Sequence, residues 1–207
     1  MAQDHQINSV QDLEAVIGEP FEEIRLKIRP ELDGVMKTFI ADAPLVFVST
    51  LDEAGRPDIS PKGDPVGFVQ VDGNGDLLIP ERPGNRLTMG FRNILENGLI
   101  GLIFVIPKQR ETLRVKGRAT LHKDPDVLEA MTVNRKPALM YTRVKVEEAF
   151  FHCGKAMIRS NLWKPEKWGE AGAPPIARQF NEAIGGDEES EKNIQAELEK
   201  NYREELY

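Results

Sequence analysis

Apolar positions along the chain change their period several times, and each change marks an element. Ser9 with Asp12 three residues on resembles a capping box, Leu13, Val16 and Ile17 form one apolar stripe, and Gly18 ends it, which predicts a helix. Pro20 suits the first position of a second helix, and beyond Pro30 the residues Leu32, Val35, Met36, Phe39 and Ile40 again share a helical face. From Leu45 to Leu51 the run is β-branched and aromatic and closes at the turn Asp52-Glu53-Ala54-Gly55, which predicts a strand. Further strands are predicted at Val66 to Val71 and Leu77 to Pro80, with Asn74-Gly75 in the hairpin between them. Helical spacing returns between Gly84 and Asn97 through Leu87, Phe91, Ile94 and Leu95. Leu99 to Ile106 then reads as a strand buried on both faces. Thr112 to His122 alternates, with Leu113, Val115, Ala119 and Leu121 inward and Arg114, Lys116, Arg118 and Thr120 outward. Asp124-Pro125 opens a short helix through Met131, and a last strand runs from Arg143 to Phe151.

Many short strands with hairpins and isolated helices predict a mainly β fold with peripheral helices (α+β), arranged as a small antiparallel barrel and not as alternating βαβ units. The chain reads as a single domain over 1–207, with N-terminal helices at 1–41, a barrel core at 42–165 and a helical, charged tail at 166–207. The closing run GGDEESEKNIQAELEKNYREELY holds too few apolar positions for a core of its own.

Composition narrows the chemistry. With 207 residues, 40% of them apolar, and a mean hydropathy of -0.41, the chain is long enough to bury a sizeable core. Its 27 Lys and Arg against 34 Asp and Glu give a net charge of -7, which removes the attracting field that general nucleic-acid binding needs and leaves only local basic pockets. No apolar run approaches the roughly 18 residues of a membrane span, and the opening MAQDHQINSVQDLE has neither the basic nor the apolar region of a signal peptide, so a cytoplasmic address is expected. Cys153 is the one cysteine and cannot form an intramolecular disulfide. Together with His5, His122 and His152 it makes no spaced metal cluster, so an organic cofactor is expected and no metal.

The dinucleotide, P-loop, nucleophile-elbow and zinc-protease signatures are absent, and the glycine pairs Gly73/Gly75 and Gly98/Gly101 read as turns. Three segments carry candidate chemistry. Pro80-Glu81-Arg82-Pro83-Gly84-Asn85-Arg86 leaves a strand, turns and starts a helix. That places Arg82 and Arg86 beside free N–H groups as a phosphate seat, or else as a surface turn whose arginines pair with neighbouring acids. Ser60-Pro61-Lys62-Gly63-Asp64-Pro65 interrupts the strand region as a ligand-lining bulge or as a plain loop. In Phe150 to Trp163, Lys155 and Arg159 share a face if the turn is helical, and Trp163 is of a kind to cover a planar ring. His152 and Cys153 are adjacent and would point to opposite faces of a strand, which favours a packed thiol over a nucleophile pair.

Taken in order, FIADAPLVFVSTLDEAGRPDISPKGDPVGFV, LLIPERPGNR, FRNILENGLIGLIFVIP, ETLRVKGRATL and FFHCGKAMIRSNLW resemble the pyridoxamine 5'-phosphate oxidase-like FMN-binding proteins, over roughly residues 39 to 165. The resemblance implies an FMN-binding split β-barrel and a homodimer with FMN in a cleft between the subunits. It implies that Asn85 and Arg86 of Gly84-Asn85-Arg86 hold the FMN phosphate with Arg82 in the same seat. Leu87 stands where those oxidases usually carry a lysine, a contact left to Lys62 or Arg82. It further implies that Ser60 to Gly63 form a strand segment running along the flavin ring, that Thr112 lies toward the ring's polar edge, and that Lys155 and Trp163 lie at the C-terminal side of the cleft. The implied activity is that of an FMN-dependent oxidoreductase passing hydride or electrons between flavin and a small molecule, with no catalytic side chain identified. Two alternatives stand beside it. One is a flavin-binding or redox-sensing module without turnover. The other is pyridoxamine 5'-phosphate oxidase itself, although the Arg-x-His-Asp-Arg type signature that closes those enzymes over their substrate is absent from this C-terminal half.

Overall fold

Alternation and β-branching generate one antiparallel sheet. The computed structural model describes residues 5–170, 172 and 174–207; the first four residues of the predicted N-terminal segment, and Ala171 and Ala173 of the predicted tail, lie outside the described residues. Strands β1 (Leu45–Leu51), β2 (Pro57–Gly63), β3 (Gln70–Val71), β4 (Leu77–Glu81), β5 (Leu99–Val105), β6 (Thr112–His122) and β7 (Met140–His152) pair in the order β2-β1-β5-β6-β7-β4-β3. Around them lie helices α1 (Val10–Ile17), α2 (Glu22–Arg25), α3 (Gly34–Asp42), α4 (Met89–Glu96), α5 (Pro125–Ala130), α6 (Lys155–Arg159), α7 (Pro175–Ile184) and α8 (Glu188–Glu204). This is the mainly β antiparallel barrel with peripheral helices that the pattern predicts, and the split barrel that the resemblance implies. No described helix is long and apolar enough to cross a membrane.

The sheet curls so that its two ends approach each other. β2, at one edge, has no ladder to β4, yet side chains join them. Lys62 Nζ donates to Glu81 Oε2 at 2.6 Å, and just beyond the strand ends Arg82 Nε donates to Asp64 Oδ2 at 2.7 Å. The barrel is therefore closed along this seam by ion pairs instead of backbone hydrogen bonds. Inside it Val46, Leu77, Ile79, Phe104, Leu113 and Val144 are fully buried, each worth about 1.5–3 kcal/mol of transfer free energy. Two helices cover this interior. The Asp33 carboxylate caps α3 by accepting from Met36 N at 2.9 Å, which turns Met36 and Ile40 into the core. α4 inserts Ile94 and holds its buried Asn93 by donating Nδ2 to Thr50 Oγ1 at 3.0 Å.

β6 and β7 form the long spine, broken by one bulge between Lys116 and Gly117. The bulge needs glycine, since a Cβ at 117 would stand 2.0 Å from the Lys145 carbonyl oxygen.

The structure alters several expectations. Ser60 to Gly63 of the Ser60 to Pro65 interruption are strand: β2 pairs with β1 from Leu45↔Gly63 to Leu51↔Pro57, because an edge strand tolerates Pro57 and Pro61, whose missing N–H groups no second neighbour requires. Between Val66 and Val71 only Gln70–Val71 is extended, since Pro65 and Gly67, at φ 83°, turn the chain first. The helix expected from Gly84 begins at Met89, after Arg86 and Thr88 take positive φ. The Leu99 to Ile106 run is buried on one face only; Leu99 and Ile103 lie exposed beside Phe47 on the outside of the sheet. Ser9 and Gly18 bound α1 as predicted, but its apolar stripe is uncovered. Cys153 is exposed, not packed.

Candidate functional site

The seam between β2 and β4 is also where cavities open. One, of about 370 Å³, lies inside the barrel mouth; its walls are apolar at Val48, Ile79, Phe91 and Ile94 and polar at Thr50, Ser60, Lys62, Glu81, Asn85 and Thr142. A second, of about 560 Å³, lies against Ser60–Asp64, Pro80–Asn85, Leu206 and Tyr207. Both share Ser60, Pro61, Lys62, Glu81 and Asn85, so these residues form a common wall. The arrangement follows from the local sequence. Extended β2 alternates its residues toward and away from the barrel, and Pro83-Gly84 delays α4 so that Asn85 stays in a loop beside the strand.

At the centre of the wall sits Glu81, with its side chain 5% exposed. Its Oε2 accepts from Lys62 Nζ and its Oε1 from Thr142 Oγ1 at 2.7 Å. Burial outweighs the attraction of Lys62 and pushes the Glu81 carboxyl above its ordinary range. The Lys62 ammonium lies 4.5 Å from the centre of the Phe91 ring, which gives the cation a second, weaker partner and leaves N–H donors beyond Glu81.

The arginines part company. Arg82 is an internal brace with its side chain 13% exposed: Nε bonds Asp64, Nη2 donates to the Met131 carbonyl at 2.8 Å, and Nη1 is buried without a hydrogen-bond partner. For Arg82 the pairing of an arginine with a neighbouring acid is thus realised, although the pair is buried and not on the surface. Arg86 is exposed, sits at φ 61°, and makes no hydrogen bond or ion pair among the described residues. Asn85 turns its loop by accepting from Leu87 N at 3.0 Å through Oδ1, which leaves its amide N–H donors free. The free N–H groups of a helix N-terminus expected beside Arg86 lie farther along, at Met89.

Thr112, Lys155 and Trp163 are elsewhere. Thr112 is buried at the start of β6 opposite His152, Lys155 opens α6 with Arg159 at its other end, and Trp163 donates Nε1 to the Gln109 carbonyl at 2.6 Å. Within one chain these three line neither of the two seam cavities. One chain therefore brings together Ser60, Lys62, Arg82 and Asn85, leaves Arg86 exposed next to Asn85 in the chain but lining neither cavity, and leaves the other group apart.

Glu81, Asp64, Thr142 and Tyr207 are wall residues that sequence reasoning did not single out. An acid ending an otherwise apolar strand, as Glu81 ends Leu-Leu-Ile-Pro-Glu, is the signal that was present for the first. Among the described residues no group of three or more His, Cys, Asp or Glu side chains is placed to hold a metal ion.

Comparison with known proteins places residues 32–153 within the family model described as pyridoxamine 5'-phosphate oxidase. No curated protein matches the chain. Among solved structures, HupZ of Group A Streptococcus is 22% identical over 58% of this chain and 93% of its own, with a TM-score of 0.46. A pyridoxamine 5'-phosphate oxidase candidate from Lactobacillus delbrueckii is 22% identical over 59% of this chain and 95% of its own, with a TM-score of 0.46. General stress protein 26 of Bacillus anthracis is 12% identical over 55% of this chain and 88% of its own, with a TM-score of 0.44.

Proposed function

Because the chain belongs to the pyridoxamine 5'-phosphate oxidase family, we propose that it is an FMN-dependent oxidoreductase acting on a small molecule, with the cofactor held at the β2–β4 seam. The carrying observation is that Ser60 and Lys62 from β2 and Asn85 from the loop between β4 and α4, far apart in sequence, line the same cavity. The wall suits an amphipathic ring, since Val48, Ile79 and Ile94 offer apolar contact while Lys62, Thr50 and Ser60 offer donors. A phosphate needs unpaired donors, and here stand the free guanidinium of Arg86 and the amide of Asn85. Arg82 serves chiefly by fixing the loop through Asp64 and Met131.

When bound, FMN supplies hydride transfer at its N5 position. The protein's part is to bind, orient and shield. Lys62 would offer positive charge to a bound flavin ring, and Glu81, itself held by Thr142, keeps that ammonium in place. No nucleophilic side chain is required.

The reading includes a homodimer with FMN between the subunits. The exposed apolar face at Phe47, Ile59, Leu99 and Ile103 supports it, as does the separation of Thr112, Lys155 and Trp163 from the cavity that they are proposed to complete on a second copy. An absorption spectrum of the purified protein tests the cofactor: flavin bands at about 370 and about 450 nm should stay with the protein through gel filtration, after added FMN if the preparation is colourless. Absence of flavin after titration overturns the reading. Bound flavin that NAD(P)H and small acceptors neither reduce nor reoxidise converts the oxidoreductase to a binding or sensing module.

A further inference from the structure

The second seam cavity has a wall that lies outside the matched family segment of residues 32–153. It comes from α7 and α8, two helices folded into a hairpin. Gly185, at φ 66°, ends α7, and Asn181, itself buried, donates its amide to the carbonyls of Gly186 at 3.3 Å and Asp187 at 2.9 Å. Asp187 then caps α8 by accepting from Ser190 N at 2.9 Å. This turn fixes the direction of α8, whose end carries Leu206 and Tyr207 back to the barrel.

There Tyr207 meets the seam at three points. Its ring lies 5.6 Å from the Arg82 guanidinium carbon, its hydroxyl faces the Asp64 carboxylate, and its backbone oxygen accepts from Lys136 Nζ. Burial, and then the facing carboxylate, hold the phenol above its ordinary pKa, so it stays a neutral donor across the physiological range. The Asp64 side chain is 2% exposed and its Oδ1 is buried without a hydrogen-bond partner, so the facing Tyr207 hydroxyl gives a polar neighbour to an under-satisfied carboxylate. The phenol covers one face of the arginine that braces the phosphate-seat loop and leaves the rest of the cavity open.

We propose that Tyr207, delivered by the α7–α8 hairpin, is a binding residue that walls the second seam cavity, which shares Ser60, Lys62 and Asn85 with the first, and slows release of FMN from the seam. The inference rests on the FMN reading above. It makes the hairpin, otherwise a charged appendage, part of the site: its aromatic end shields the seam from water while Lys136 latches the chain beyond α8.

Fluorescence titration of FMN, followed by dilution to time its release, tests this on the full chain and on Tyr207→Ala, Tyr207→Phe and Lys136→Ala. Tyr207→Ala should weaken FMN binding about tenfold, the scale of one aromatic contact, mainly through faster release. Tyr207→Phe, which keeps the ring, should lie between it and the unaltered chain, and Lys136→Ala should release faster while melting like the parent. Circular dichroism verifies that each variant is folded. FMN binding and release unchanged in folded Tyr207→Ala overturns the inference while leaving the cofactor reading intact. If Tyr207→Ala is unfolded, release from Lys136→Ala at the parental rate overturns it instead. A parent chain that takes up no FMN overturns both.

Discussion

Arg82 and Arg86, four residues apart, show how one motif divides its labour. Both are arginines in a polar turn, yet the first is engaged by Asp64 and Met131 while the second is exposed and unpaired among the described residues. A ligand phosphate gains most from the charge that has no other partner. Arg86→Ala is therefore expected to weaken FMN binding by about 1.5–3 kcal/mol, the usual worth of a hydrogen bond to a charged group, as read by titration of the flavin absorbance. Gly117 makes a second prediction at the same scale. Its Cβ-sized space is already filled by the Lys145 carbonyl, so Gly117→Ala must push β7 away from the bulge and should cost at least about 1–3 kcal/mol in urea unfolding. The equivalent change at Gly73, where a Cβ meets no atom within 4 Å, serves as the control.

Among the elements, the seam is the least ordinary join, because a single carboxylate, Glu81, ties β2, β4 and β7 together. Its carboxyl titrates above the ordinary value of 4.5, so ionisation opposes folding. The associated stability is complete below that value and is lost as pH rises through the folded-state value. Glu81→Gln removes this group's contribution, and the melting temperature of the variant relative to the parent should climb with pH over that interval. A constant difference would assign Glu81 an unshifted carboxyl. The elements also show where sequence patterns inform. β1 and β6 are legible to the residue because β-branched runs and strict alternation have no helical reading. β2 is not, since Pro57, Pro61 and Gly63 look like loop residues until the strand is known to lie at an edge. α7 falls in the tail expected to be helical, but its bounds are not legible because no capping side chain marks its start. At the site, Ser60, Lys62 and Asn85 were legible as motif residues. Glu81 and Tyr207 act through contacts with residues distant in sequence, which no local pattern encodes.

For the whole molecule, the telling feature is a run that reads as buried on both faces and is buried on one. β5 offers Leu99 and Ile103 outward beside Phe47 and Ile59, around a groove of about 470 Å³ rimmed by Arg114, Lys116 and Glu147. On the homodimer reading this face is covered by the second copy, and Ile103→Glu should shift the mass in size exclusion with light scattering from dimer to monomer. FMN affinity should fall with it, because Thr112, Lys155 and Trp163 are then no longer supplied to the seam cavity. A variant that remains dimeric would move the interface to another surface.

Pro57 and Pro61, which disguise β2 in the sequence, have a further effect in concentrated solution. They stand four residues apart, so both remove donors from the same side of the strand, and the row that another chain would need for pairing is broken in two places. Ile59 lies exposed between them, a residue that on an intact strand edge would invite stacking into fibrous aggregates. Replacing both prolines with valine should leave the pairing to β1 intact and raise turbidity during refolding. The two prolines thus keep copies of the chain from polymerising through this edge.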